Sequence, residues 1–316
     1  MNKKTSNILM ICLLLSLVIF MITRSNKVIE SVTFSISIWK DNLFPTLFPF
    51  FIISSLLMNY GFVDIIGYFL SYPMQKLFHL PGCCGFVLAS SMFSGFPSGA
   101  KYTVDLVNNN KITIKQAESL LTFTHYSNPL FILGMIGTIL LNNQKIAYLI
   151  LISHITSGIL TGIILSKKET ININKSKQVL SIKIPNKSFG EILTTTIFDS
   201  LNTMFLLLGV VTIFLILTTF INEIITLPNY IQVILSGVLE MTQGVKLASS
   251  INLPVIIKTI LITGIISFGG LSVHTQVISI ISSKKIKYKP FLLARIIHSI
   301  LAMVFVFILY IIFINQ

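Results

Sequence analysis

Apolar residues run along this chain in blocks long enough, or nearly long enough, to cross a bilayer. The blocks are Ile8 to Ile22, Leu43 to Tyr60, Ile146 to Leu165, Ile197 to Ile221, Val255 to Ile281 and Phe291 to Ile314. A spanning helix needs roughly 20 mostly apolar residues, so each block predicts a membrane helix. The first follows Lys3 and Lys4 but is succeeded by TRSNK, which offers no small-x-small cleavage site, and reads as an uncleaved helix with a cytoplasmic N-terminus. Lys27 to Asp41 mixes polar and apolar positions, which predicts a segment on the surface or partly buried in the bundle, with Trp39 and Lys40 as interfacial anchors. Asp64 to Phe78 is amphipathic and interrupted by Pro73.

Short polar interruptions sit inside the apolar pattern, and they come in matching pairs. Gly95 to Lys101 reads GFPSGAK, and Glu240 to Lys246 reads EMTQGVK. Each is followed at a similar distance by a second break, SNPLF from Ser127 to Phe131 and FGGLSVHTQ from Phe268 to Gln276. The apolar stretch before Gly95 and the one from Tyr230 to Leu239 are too short to span, which predicts half-helices or re-entrant hairpins. Thr113 with Gln116 three residues on predicts a capping box opening a half-helix that ends near Phe123. Pro129 then bars a continuous helix.

Composition changes the class. Hydrophobic residues make up 53% of the chain and charged ones only 10%, with a mean hydropathy of +0.87. A soluble domain carries about a quarter charged residues, so this is a polytopic integral membrane protein. The net charge of +13 gathers largely in Lys167 to Lys187 and Lys284 to Lys289. Both adjoin apolar spans, so they mark the cytoplasmic side. The expected partner is therefore the lipid bilayer and not nucleic acid. Cys12, Cys83 and Cys84 form no CxxC and no metal-ligand set. The chain has no GxSxG, HExxH or Walker sequence, so neither an enzyme nor a cofactor is expected.

The basic loop at 167–189 divides the chain. It follows an N-terminal transmembrane helix (1–27) and a first repeat (28–166), and it precedes a second repeat (190–316). With Lys3 inside, the first repeat begins outside and ends inside, and the second begins inside. The expected fold is all-α and polytopic, with two inverted repeats containing broken helices and re-entrant hairpins. Such repeats place a solute site near the midplane.

The breaks supply the candidate site: Ser94, Gly95, Ser98, Gly99 and Lys101; Ser127 and Asn128; Glu240, Thr242, Gln243, Gly244 and Lys246; Gly269, Gly270, Ser272, His274 and Gln276. Glycines permit sharp turns and close backbone approach. Hydroxyls and amides offer hydrogen bonds. New helix N-termini carry partial positive charge. Together with Lys101, Lys246 and His274 these features predict an anionic cargo. The competing assignments are lysines snorkelling at the surface and a core histidine bonded to a carbonyl. Asp199 and Glu240 are open to pairing with a lysine, holding a coupling proton or capping a half-helix. His154, Arg295 and His298 read as structural.

The runs LFPFFIISSLL, SGFPSGAK, THYSNPLFILG, LEMTQGVK, GGLSVHTQVISI and YKPFLLARIIH resemble the YlbJ-type sporulation integral membrane proteins. These are a nucleoside-recognition Gate group distantly similar to concentrative nucleoside transporters. The resemblance implies a secondary transporter or facilitator of a small organic anion, dipicolinate, in the outer forespore membrane of the mother cell. It points to Ser94 to Lys101, Ser127 to Pro129, Glu240 to Gly244 and Gly269 to Gln276 as cargo contacts. Alternatives are a nucleoside transporter and a non-transporting scaffold of spore assembly, as a homo-oligomer or with sporulation membrane partners.

Overall fold

In a bilayer core without water, backbone groups must bond within the protein, and helices achieve this segment by segment. The computed structural model describes residues 3–166, 188–225 and 227–314, and all regular structure among them is helical. The basic segment expected from Lys167 to Lys187 lies outside the described residues.

Helix α1 (Lys3–Thr23) turns sharply into α2 (Ser25–Ile38), and a π-helical turn at Trp39–Leu43 leads into α3 (Phe44–Asn59). The N-terminal pair is bent by 98°. Helix α2 lies along α10 (Phe189–Ile224), held by hydroxyl pairs Ser31–Thr219 at 2.8 Å and Ser35–Thr212 at 2.7 Å. Trp39 adds a third tie to the same helix. Its indole N–H donates to the Met204 carbonyl on α10 at 2.8 Å, so the ring pins α2 to the bundle. Helix α3 bends by 83° at Gly61 into α4 (Phe62–Phe69), and α5 (Ser71–Phe78) follows. The stretch is interrupted at Leu70, three residues before Pro73, which sits in the first turn of α5, where its missing N–H costs no helical bond.

Two hairpins come next in their respective halves. Helices α6 (Cys84–Ser94) and α7 (Ser98–Asn108) form the first, turning at Gly95–Pro97. Helices α11 (Asn229–Leu239) and α12 (Met241–Ser250) form the second, turning at Glu240 alone. Arms of 10 or 11 residues reach about 15–16 Å at 1.5 Å per residue. That is roughly half the ~30 Å hydrocarbon thickness, so neither arm spans.

Each hairpin is followed by a broken helix and then an unbroken one. In the first half, α8 (Ile114–Leu120) opens with the expected capping box. The Gln116 amide N–H donates to Thr113 Oγ1 at 3.2 Å, and the Thr113 N–H donates to Gln116 Oε1 at 2.9 Å. The backbone then leaves the helix until a π-helical stretch, Phe131–Leu140, and α9 (Gln144–Leu165) follows. In the second half, α13 (Val255–Phe268) breaks into α14 (Gly270–Ile281) at two glycines with φ of 90° and 72°, before α15 (Lys289–Phe313). Those angles are accessible to glycine at little cost. Four stretches among the described residues are long and apolar enough to cross a membrane, or up to six counting each bent pair as one.

The second hairpin closes on glycine. A Cβ on Gly244 would overlap the Gly237 backbone, whereas Gly209 on α10 has nothing within 4 Å of its would-be Cβ. Gly244→Ala is therefore expected to destabilise the protein by about 1–3 kcal/mol, the range for overpacking. Gly209→Ala should leave it unchanged or slightly stabilised. Melting temperatures in detergent check this, and equal values for the two variants would refute the close packing.

Candidate functional site

Unwound backbone at depth needs partners, and buried cationic and imidazole side chains supply them. Arg295 on α15 is fully buried. It donates to the carbonyls of His125 at 2.8 Å and Thr122 at 2.7 Å, and to His298 Nδ1 at 2.8 Å. His298 Nε2–H then donates to the His154 carbonyl at 2.8 Å. The Ser127 amide donates to His154 Nε2 at 2.8 Å, so His154 Nδ1–H donates to Ser267 Oγ, also at 2.8 Å. Ser267 is the penultimate residue of α13, two residues before the second broken helix turns at Gly269. One polar chain thus joins α9, α13, α15 and the extended segment around Ser127.

The hairpin tips are closed by their own side chains. Asn128 donates to the Ser94 carbonyl at 3.2 Å and accepts from the Leu130 amide at 2.7 Å. Ser94 and Ser98 lie 2.5 Å apart, and Ser98 donates to the Gly95 carbonyl at 2.6 Å. At the second tip Glu240 caps α12, accepting from the Gln243 amide at 2.9 Å and from the Thr242 hydroxyl.

The four interruptions meet around one cavity of about 40 Å³. Phe96 comes from the first tip, Ser127 and Asn128 from the extended segment, Glu240 to Thr242 from the second tip, and Ser272, Val273 and Gln276 from α14. Phe131, with Leu43 and Leu47 on the α3 side and Leu207 and Val211 on α10, completes the wall. Two polar atoms there, Ser127 Oγ and Gln276 Oε1, are buried without a hydrogen-bond partner, while the Ser272 hydroxyl faces the Glu240 carboxylate. Each such group costs about 1–3 kcal/mol, so the cavity is built for water or a polar solute. Helices α12 and α14 begin at it, bringing the partial positive charge of their first N–H groups.

Of the sequence candidates, Ser127, Asn128, Glu240, Thr242, Ser272 and Gln276 line this cavity. Ser94, Gly95, Ser98 and Gly99 shape the first tip. Gly269 and Gly270 make the turn before α14. Gln243 and Gly244 belong to α12, Gln243 giving its amide to the cap. The three cationic candidates lie elsewhere. Lys246 is exposed, its ammonium 4.2 Å from the Phe34 ring centroid. His274 Nε2–H donates to the Phe268 carbonyl at 3.1 Å, and Nδ1 accepts from the Tyr288 hydroxyl at 2.6 Å, so both nitrogens are occupied. Lys101 rests on Phe51, 5.0 Å from the ring centroid, and lines a different cavity. Glu240 is thus the ionisable side chain of the central wall. The apolar wall had a faint sequence signal, the four-residue spacing of Leu43 with Leu47 and of Leu207 with Val211. Among the described residues no three His, Cys, Asp or Glu side chains gather as a metal site.

Residues 42–167 match the family described as Gate, nucleoside recognition. The whole chain is similar to the sporulation integral membrane protein YlbJ of Bacillus subtilis (strain 168). The two are 32% identical over 341 aligned residues, covering 98% of this chain and 84% of that relative. No solved structure matches it.

Arg295→Met would strand two buried carbonyls and His298. The expected loss is about 3–5 kcal/mol, as when one partner of a buried polar assembly is removed. Arg295→Lys should recover part of it, since one ammonium reaches fewer acceptors. Melting in detergent measures both, and a Met variant as stable as the parent would remove Arg295 from its assigned place.

Proposed function

This chain belongs to the YlbJ family of sporulation integral membrane proteins, and we propose that it is a secondary transporter or facilitator of a small polar organic solute. The cargo we infer is dipicolinate, carried across the outer forespore membrane. The observation behind this reading is the central cavity, where breaks from both halves converge and leave a hydroxyl and an amide oxygen unpartnered. Serine hydroxyls and the first amides of α14 suit carboxylate oxygens. A dianion beside Glu240 would be repelled, so cargo and proton enter together, with the Glu240 carboxyl protonated while cargo is bound. At about 40 Å³ the cavity has room for water and not for an aromatic diacid. Loading therefore requires one half to move against the other, as in carriers that alternate access around a central site.

A second reading rests on Glu240 itself. A carboxylate with no cation in the same wall favours a neutral cargo rich in hydroxyls, such as a nucleoside.

Uptake of labelled dipicolinate into proteoliposomes, with and without an inward proton gradient, separates the readings. Uptake that rises with the gradient and resists excess uridine is the expected result. Ser272→Ala and Gln276→Ala should each lower it by about tenfold, the equivalent of one buried hydrogen bond. Glu240→Gln should keep transport while losing the gradient dependence. Uridine uptake in place of dipicolinate would favour the nucleoside reading, and uptake of neither would leave a scaffold.

A further inference from the structure

A second cavity, of about 560 Å³, lies between α3, α7, α10 and the bend at Gly61. Its walls continue the helix faces that line the central cavity. On α3 the face runs from Leu47 through Phe51 to Ser55 and Asn59; on α10 it runs from Leu207 through Thr203 and Asp199 to Thr195. These positions are four residues apart, so each set forms one stripe of its helix. Both stripes are apolar at the central cavity and polar at the second. Lys101 and Asp105 on α7, with Asn109 just past its end, add a third polar stripe at the same spacing.

Such a surface inside a bilayer needs water. Charged groups at depth are costly in lipid, and here Asp105 and Asp199 share the cavity with the Lys101 ammonium, which is buried with no hydrogen-bond partner. The volume suits on the order of ten or more waters, or a small organic solute. Asp64 and Lys111 form an ion pair at its edge. Ile192, another lining residue, lies in the first turn of α10. That helix follows the lysine-rich stretch 167–187 in the sequence, so this end is cytoplasmic. Along the α3 stripe, fully buried Phe51 falls between Leu47 of the central wall and Ser55 of the second, with Lys101 over its ring.

We propose that this cavity is a water-filled vestibule where a small polar solute rests on the cytoplasmic side before it enters the central cavity, with the Phe51–Lys101 contact as the partition. The solute rests on the carrier reading above; the water access does not.

Single cysteines in full-length protein lacking Cys12, Cys83 and Cys84 test it, using membrane-impermeant methanethiosulfonates on oriented vesicles. Ser55→Cys and Thr203→Cys should react from the cytoplasmic side alone. They should react about tenfold or more faster than Thr218→Cys, a buried site on the same helix. Equal rates, or reaction from the other side, overturn the vestibule even if the protein transports. Millimolar dipicolinate or uridine should slow labelling of Thr203→Cys; no protection by either overturns the resting solute while the water access stands. Phe51→Ala should speed reaction of Ser272→Cys by about tenfold, and Phe51→Leu, which keeps bulk, should not. An unchanged rate in folded Phe51→Ala protein overturns the partition. Should that variant fail to fold, Lys101→Met gives the same readout, with a faster rate expected and an unchanged one overturning the partition.

Discussion

Peptide groups cannot go unpaired where lipid replaces water, and the centre of this molecule is organised around that constraint. Both halves open their helices at depth. Each opening exposes amides and carbonyls whose neglect would cost more than the protein's net stability allows. Arg295, His154 and Asn128 answer them in the first half, and Glu240 and His274 in the second. A guanidinium is well suited here because its planar fork reaches two carbonyls at once. The same side chains fix where the breaks lie relative to one another, so that loose ends become a shaped cavity.

That arrangement also decides the character of the central wall. Arg295, His154 and His298 stabilise the backbone without lining the cavity, Asn128 and Glu240 do both, and Ser127 and Gln276 line it with hydrogen-bonding capacity to spare. Positive charge reaches the wall through helix ends and not through side chains. The fixed negative charge is Glu240, which is itself engaged in capping α12. Anything that neutralises Glu240 therefore weakens a cap and alters the second hairpin together with the polarity of the wall.

Much of this was legible beforehand because it depends on short-range chemistry. The Thr113–Gln116 capping box, the break at Ser127 to Pro129 and the glycine pair before α14 are local devices, and each stands where residue type demands. The facing of long side chains was not legible. Lys101, Lys246 and His274 all lie near breaks in the chain, yet none lines the central cavity, because a helix turns 100° per residue and sequence proximity says little about direction. The tie made by Trp39 was hidden for a related reason: its partner is a carbonyl 165 positions away. Four-residue spacings on α3 and α10 were visible, but two helices could be set together only once their shared wall was seen.

The serine–threonine pairs between α2 and α10 have a mechanical corollary. Short hydroxyl side chains let two helices approach closely, and the indole of Trp39 adds a third rivet along the same seam. Three hydrogen bonds thus tie α2 and the turn after it to α10. Leu207 and Val211 are mounted on α10, so any displacement of that wall of the central cavity would carry α2 along with it.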